Sequence, residues 1–170
     1  NATGGEATGD RSTATVLPLD DYVSAVIANV ERADEQGSAL DPVFESALEE
    51  MESFDDADEA LAHMEDALRT MFSATSEIFR EFVESMQSLQ APEELTDEHD
   101  AFIQAIEALT VLWDGFTVMA SSFDSLEDVG VLLEAVDGSL FPLMTDVERA
   151  CTRLQDAAAA NGASADFSCV

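Results

Sequence analysis

The side chains best suited to chemistry in this sequence are His63, His99, Cys151, Cys169 and a large stock of carboxylates. His99 falls on an apolar stripe with Leu95, Phe102, Ile103, Ile106, Leu109, Trp113, Phe116 and Ala120. A histidine there can serve as a base or a ligand. It can equally be a core-edge residue bonded to a neighbour such as Glu98, and with no second histidine on its face the structural role is favoured. If a ligand pocket exists between helices, His99 and Trp113 are its expected lining. His63 lies opposite Leu61 on its own wheel and is expected to face solvent, with Glu59 four residues before it. Asp55, Asp56, Asp58, Glu59 and His63 form the expected place for a cation, where a helix break could gather oxygens.

Each of these falls short of a recognised constellation. Di-iron bundles use Glu-x-x-His, and neither histidine has a glutamate three residues earlier. No acidic run has the Asp-x-Asp-x-Asp-Gly loop of a specific calcium site, so bound Ca²⁺ is expected to be weak at most and no cofactor is expected. Met64, Met71 and Met86 share a face and read as core. Gly-x-Ser-x-Gly is absent, as is a cysteine beside a histidine. The expectation is a protein that is not an enzyme.

The elements that position these residues are helical throughout. The stripe of His99 has the 3.6-residue period of an amphipathic helix running from Pro92 to Ser121, with Asp97, Asp100, Gln104 and Glu107 on the far side. Pro92 and the following glutamates suit its first turn. A helix from Ala57 to Leu89 carries Leu61, Leu68, Phe72, Phe79, Phe82, Val83 and Met86 on one face. It is the expected antiparallel partner, joined through Gln90 and Ala91. Pro18 to Glu35 forms a helix with Tyr22, Val23, Val26, Ile27 and Val30 inward. Asp41-Pro42 opens a short one, as N-cap and first helical residue. Ser125 to Asp128 has the shape of a capping box. The apolar phase of Val129 and Val136 continues through Leu143, Val147, Cys151 and Leu154, which predicts two helices nearly in line or one kinked at Pro142. Asn161-Gly162 ends it. The fold expected is all-α: an antiparallel bundle of about four long helices plus shorter pieces, with a disulfide-stapled C-terminus.

Charge narrows the setting. Thirty-seven acidic residues face six basic ones, all arginine, for a net charge of −31. Such a surface repels itself at low ionic strength, and at 1 M salt the Debye length falls to about 3 Å. The acid is spread over every predicted helix and not confined to one tail, which fits a halophilic protein better than an acidic surface dedicated to cations or a basic partner. With no basic patch, nucleic acid is excluded as a partner. No apolar run approaches the ~18 residues of a spanning helix, so no transmembrane segment is expected. The chain starts at Asn1, which reads as a processed or trimmed start.

Residues 1–17 are Gly-, Thr- and Ala-rich and read as a tether that is flexible or ordered by a partner, with 18–170 as one domain. Asn1-Ala2-Thr3 matches a glycosylation sequon at Asn1. A tether of this kind also follows the lipid anchor of exported lipoproteins, and one packing on the next subunit would build rings or filaments. The pair Cys151 and Cys169 predicts a disulfide and hence a secreted or cell-surface location.

Two stretches, APEELTDEHDAFIQAIEAL and CTRLQDAAAANGASADFSC, resemble parts of exported helical-bundle proteins and lipoproteins of bacteria and haloarchaea. The resemblance covers about a third of the chain. It implies export and a helical bundle, and it transfers no site residues. The function expected is that of an extracytoplasmic bundle acting through protein–protein contacts, as a self-assembling surface or filament component. The alternative is an exported protein that binds a small ligand or a cation.

Overall fold

In the computed structural model, residues 16–51, 54–123 and 125–169 are described. Five α-helices follow in order: α1 (Leu19–Ser38), α2 (Asp41–Met51), α3 (Ala57–Ser88), α4 (Thr96–Ala120) and α5 (Leu126–Ala160), with a 3-10 turn at Glu93–Leu95 before α4. The described residues contain no strand. The sequon at Asn1 and nearly all of the 1–17 tether lie outside the described residues. The end of the tether is tied down: Leu17 packs on the core and its N–H donates to the Gln90 carbonyl at 3.3 Å.

The helices make an up-down-up-down bundle whose first upward element is broken. Tyr22 meets His99, Asn29 meets Met86 and Gln36 meets Glu81, so α1 climbs as α3 descends. Past the break at residues 39–40, α2 carries on along α3, setting Phe44 against the cluster that holds Leu68 and Phe72. The closest packing is α3 on α4, then α4 on α5.

Local chemistry explains the ends. Asp56 caps α3 through its side chain, accepting from the N–H groups of Asp58 and Glu59 at 2.8 and 3.2 Å. Ser125 caps α5 as expected, taking the Asp128 N–H. At the far end of α5, Gly162 has φ +97°, its N–H donates to Ala159, and the Ala163 N–H reaches back to Ala158. That is a Schellman stop, and it needs a residue tolerant of left-handed backbone.

Three expectations shift. Leu40, not Asp41, supplies the carbonyl that opens α2, receiving the N–H groups of Val43 and Phe44. The helix on Pro92 begins as a 3-10 turn, with Leu95 N–H on the Pro92 carbonyl, and turns α-helical only at Thr96. And the two arrangements expected around Pro142 narrow to one, a single helix α5. Pro142 removes the bond to the Gly138 carbonyl, but both residues are exposed, so water can take that carbonyl.

One further correction concerns α4. By length and composition, the stretch Glu93–Ala120 is apolar enough to cross a membrane. Glu107 and Asp114 interrupt the apolar run without lowering its average much, so no unbroken run marks it in the sequence. Central position in a bundle accounts for part of that apolarity: Phe102, Ile103, Ile106, Leu109 and Phe116 are buried, whereas Val111, Val118 and Met119 are exposed.

The core has two clusters. The proximal one joins Tyr22, Val26, Met86, Phe102, Ile106, Leu154 and Phe167. The distal one joins Leu68, Phe72, Phe116, Ala120, Val129 and Leu132. The Cys151–Cys169 disulfide closes the proximal end across a sequence separation of 18. Replacing both cysteines by serine is expected to cost about 3 kcal/mol in urea unfolding at high salt. A loss below about 1 kcal/mol would mean that Phe167 burial and its N–H bond to Gln155 hold the tail without the staple.

Candidate functional site

His99 sits one turn into α4, only 5% exposed. Tyr22 comes to it from α1, and the tyrosine hydroxyl and His99 Nδ1 share a hydrogen bond of 2.8 Å, the rings meeting edge to face. Both residues lie on their helices' inward stripes because each is mostly apolar ring with a polar tip, and pairing the tips removes the cost of burying them. Glu98, half-buried beside His99 in sequence, is not the partner the structure gives it.

Burial pushes the His99 imidazole below its ordinary value, and the nearby Asp100 carboxylate opposes this only in part. Burial, and then Asp100, push the Tyr22 hydroxyl well above its usual range. Both groups are therefore neutral near pH 7. An open cleft of about 300 Å³ lies against the histidine, lined by Gln87, Gln90, Thr96, Asp100 and Ile103 among others. A second, wider cleft of about 580 Å³ adjoins it across Ala91 and Thr96, with Leu17, Pro92, Glu93 and Glu94 in its wall. Amide, hydroxyl and carboxylate groups at this end can hold a small polar molecule by hydrogen bonds.

Trp113 is not part of that cleft. It belongs to the distal cluster, stacked near Phe72 and Phe116 with centroids 5.6 and 5.7 Å away. Fourteen residues of helix separate it from His99, about 21 Å along the axis. Its enclosed Nε1–H finds no acceptor among the described residues.

The five expected cation residues have different surroundings. The Asp56 side chain is spent on the α3 cap, and Asp55, Asp58 and Glu59 are exposed. His63 does not face open solvent. It is half-buried, with Phe54 stacked at 5.2 Å and a Glu50 oxygen 3.6 Å from Nε2. The chain doubles back from α2 and lays Phe54 over the first turns of α3, which the wheel of α3 alone cannot show. Among the described residues no three His, Cys, Asp or Glu side chains are grouped so as to hold a metal ion.

Sequence reasoning missed Ser76, Asp114 and Arg80. Ser76 is buried on α3 and donates to Asp114 of α4 at 2.5 Å, while Arg80 reaches the same carboxylate at 3.2 Å. The signal was present as a serine on an otherwise apolar face and an arginine four residues on.

Two outcomes test the Tyr22–His99 pair. Tyr22→Phe leaves His99 Nδ1 without its partner and is expected to cost about 1–3 kcal/mol. Acidification works through His99 as follows. An unfolded chain takes up a proton near pH 6.5 while the folded histidine stays neutral, so its contribution is intact above that pH and is lost as pH falls through the lowered folded value. Wild type should therefore lose stability relative to His99→Gln between neutral pH and about pH 5. Parallel pH curves for the two proteins would show that the histidine is not held neutral.

No protein-family model, curated protein or solved structure matches this chain.

Proposed function

We propose that this chain is a non-catalytic helical-bundle protein that works outside the cytoplasm of a salt-adapted microbe, through protein–protein contacts, as a self-assembling surface or filament component. The observation that carries the reading is apolar exposure on an otherwise acidic molecule. Val111 and Val118 on α4 are 71% and 72% exposed, and Phe141 on α5 is 76% exposed. Large apolar side chains left in water on a protein with a net charge of −31 mark places where another surface is accepted. The disulfide supports a location in an oxidising compartment. The charge supports concentrated salt as the working medium, since there the self-repulsion is screened.

A second reading, binding of a small polar ligand, is favoured by the cleft beside His99 with its amide and carboxylate lining. It and the first reading differ in what binding would change: a ligand would alter the His99 end, and assembly would alter the mass.

Light scattering at about 0.1 M and about 2 M NaCl, with electron microscopy of the same samples, tests the first reading. Assembly confined to the higher salt is the expected result. A monomer of 18.2 kDa at both salts would overturn it. In the same solutions, the urea midpoint of the wild type is expected to rise with salt, because screening relieves repulsion that the folded state concentrates.

A further inference from the structure

We infer that the outward face of α4 is a seam for α4 of a second copy of this chain, packed antiparallel; this rests on the protein–protein reading above. Along α4 and just past it, Ala101, Gln104, Ala108, Val111, Gly115, Val118 and Ser122 recur at alternating steps of three and four residues. That is the spacing of a coiled-coil seam, carried on the side of α4 opposite its buried stripe. Gln104, Ala108, Val111, Gly115, Val118 and Ser122 are exposed and Ala101 is partly so. The row is about 30 Å long. It contains no charge, in a chain where roughly every fifth residue is acidic.

Two features say what covers it. The first is shape. Small residues occupy one position of each heptad (Ala101, Ala108, Gly115, Ser122), and Gln104, Val111 and Val118 the other. Turned antiparallel, the row sets each valine of one copy against an alanine, glycine or serine of the other, so it is its own complement, as an isologous two-fold contact requires. Gly115 fits this. A glycine in mid-helix costs about 0.5–1 kcal/mol relative to alanine, and a Cβ added there would meet nothing within 4 Å in its own fold. Gly130 and Gly138 on α5 are equally open, but Glu134 lies four residues from each and charges their rows.

The second feature is charge. Between Ala101 and Val118 the only acidic or basic residues are Glu107 and Asp114, and both are engaged with α3, by Gln87 at 3.0 Å and by Arg80 with Ser76. Asp100, Glu107 and Asp114 still line one edge of the seam, so the pair forms when salt shortens the range of their repulsion.

The full chain with its disulfide is the test material, in sedimentation velocity at about 0.1 M and about 2 M NaCl. Wild type is expected to pair at the higher salt, and Val111→Asp with Val118→Asp to weaken pairing at least about tenfold. Both positions are exposed, so the unfolding midpoint of that variant should stay close to wild type. Orientation is read by cross-linking Gln104→Cys and Ser122→Cys proteins: links form when the two are mixed, and not within either alone. Links within each variant alone would overturn the antiparallel arrangement. Association that ignores the two aspartates would overturn the seam while leaving the protein–protein reading intact, whereas no association of wild type at either salt would overturn both.

Discussion

Like-charge repulsion is the constraint on which the rest of this structure depends. A net charge of −31 on 170 residues sets every helix against its neighbours. Ion pairs do little to offset it. Arg149 pairs with Asp146 and Arg69 with Asp66, each three residues apart on an exposed helix face, where such pairs contribute about 0–1 kcal/mol. Arg80 is different, because it joins α3 to α4 through Asp114 and lies over the buried Ser76. Cohesion falls to apolar burial, to salt, and to a covalent staple. That is why the interior is so nearly free of charge: among the described residues Ser76 and His99 are the buried polar side chains besides the tyrosine, and each has its hydrogen bond.

Those means are unevenly placed. The proximal end has all four directions of the bundle, the Tyr22–His99 bond, the disulfide and the buried Phe167. The distal end is closed on one side by the 11-residue α2, with Val43 exposed and an aromatic group of Phe72, Trp113 and Phe116 doing most of the filling. Between the clusters, the middle of α5 passes Gly138 and Pro142 with no fully buried side chain from residue 133 to 149. A long helix held at both ends and loosely at its centre is where opening starts at low cost. The proximal half of the bundle is thus the more firmly held half.

Much of this was legible in the sequence because helical period and end signals are local. The stripes of α3 and α4, the Ser125 cap, the Asn161-Gly162 stop and the Cys151–Cys169 link each depend on residues near one another in the chain or on plain pairing of cysteines. What escaped depends on which helix face meets which. Tyr22 and His99 are 77 residues apart, and nothing in either wheel selects the other. His63 looked exposed because Phe54, which covers it, belongs to the preceding connection. Asp56 was read for its charge alone, and its place just before a helix also gives its side chain the first N–H groups. His99 and Trp113 shared a stripe, but a stripe longer than one core cluster serves two.

The outward row of α4 escaped for another reason. A wheel is read for its apolar side, and the opposite side is assumed to be polar. Asp97, Asp100, Gln104 and Glu107 satisfy that assumption for the first half of α4, and Val111, Gly115 and Val118 then break it. In an ordinary protein two exposed valines need no explanation. Here the surroundings change their weight. Carboxylates spread over the rest of the surface keep copies of the molecule apart, so an uncharged row stands out against them. A surface meant only for solubility would place acid along this row as it does elsewhere. Keeping it neutral, and keeping a helix-weakening glycine in it, makes sense if the adaptation that isolates the rest of the surface leaves one face free to be covered.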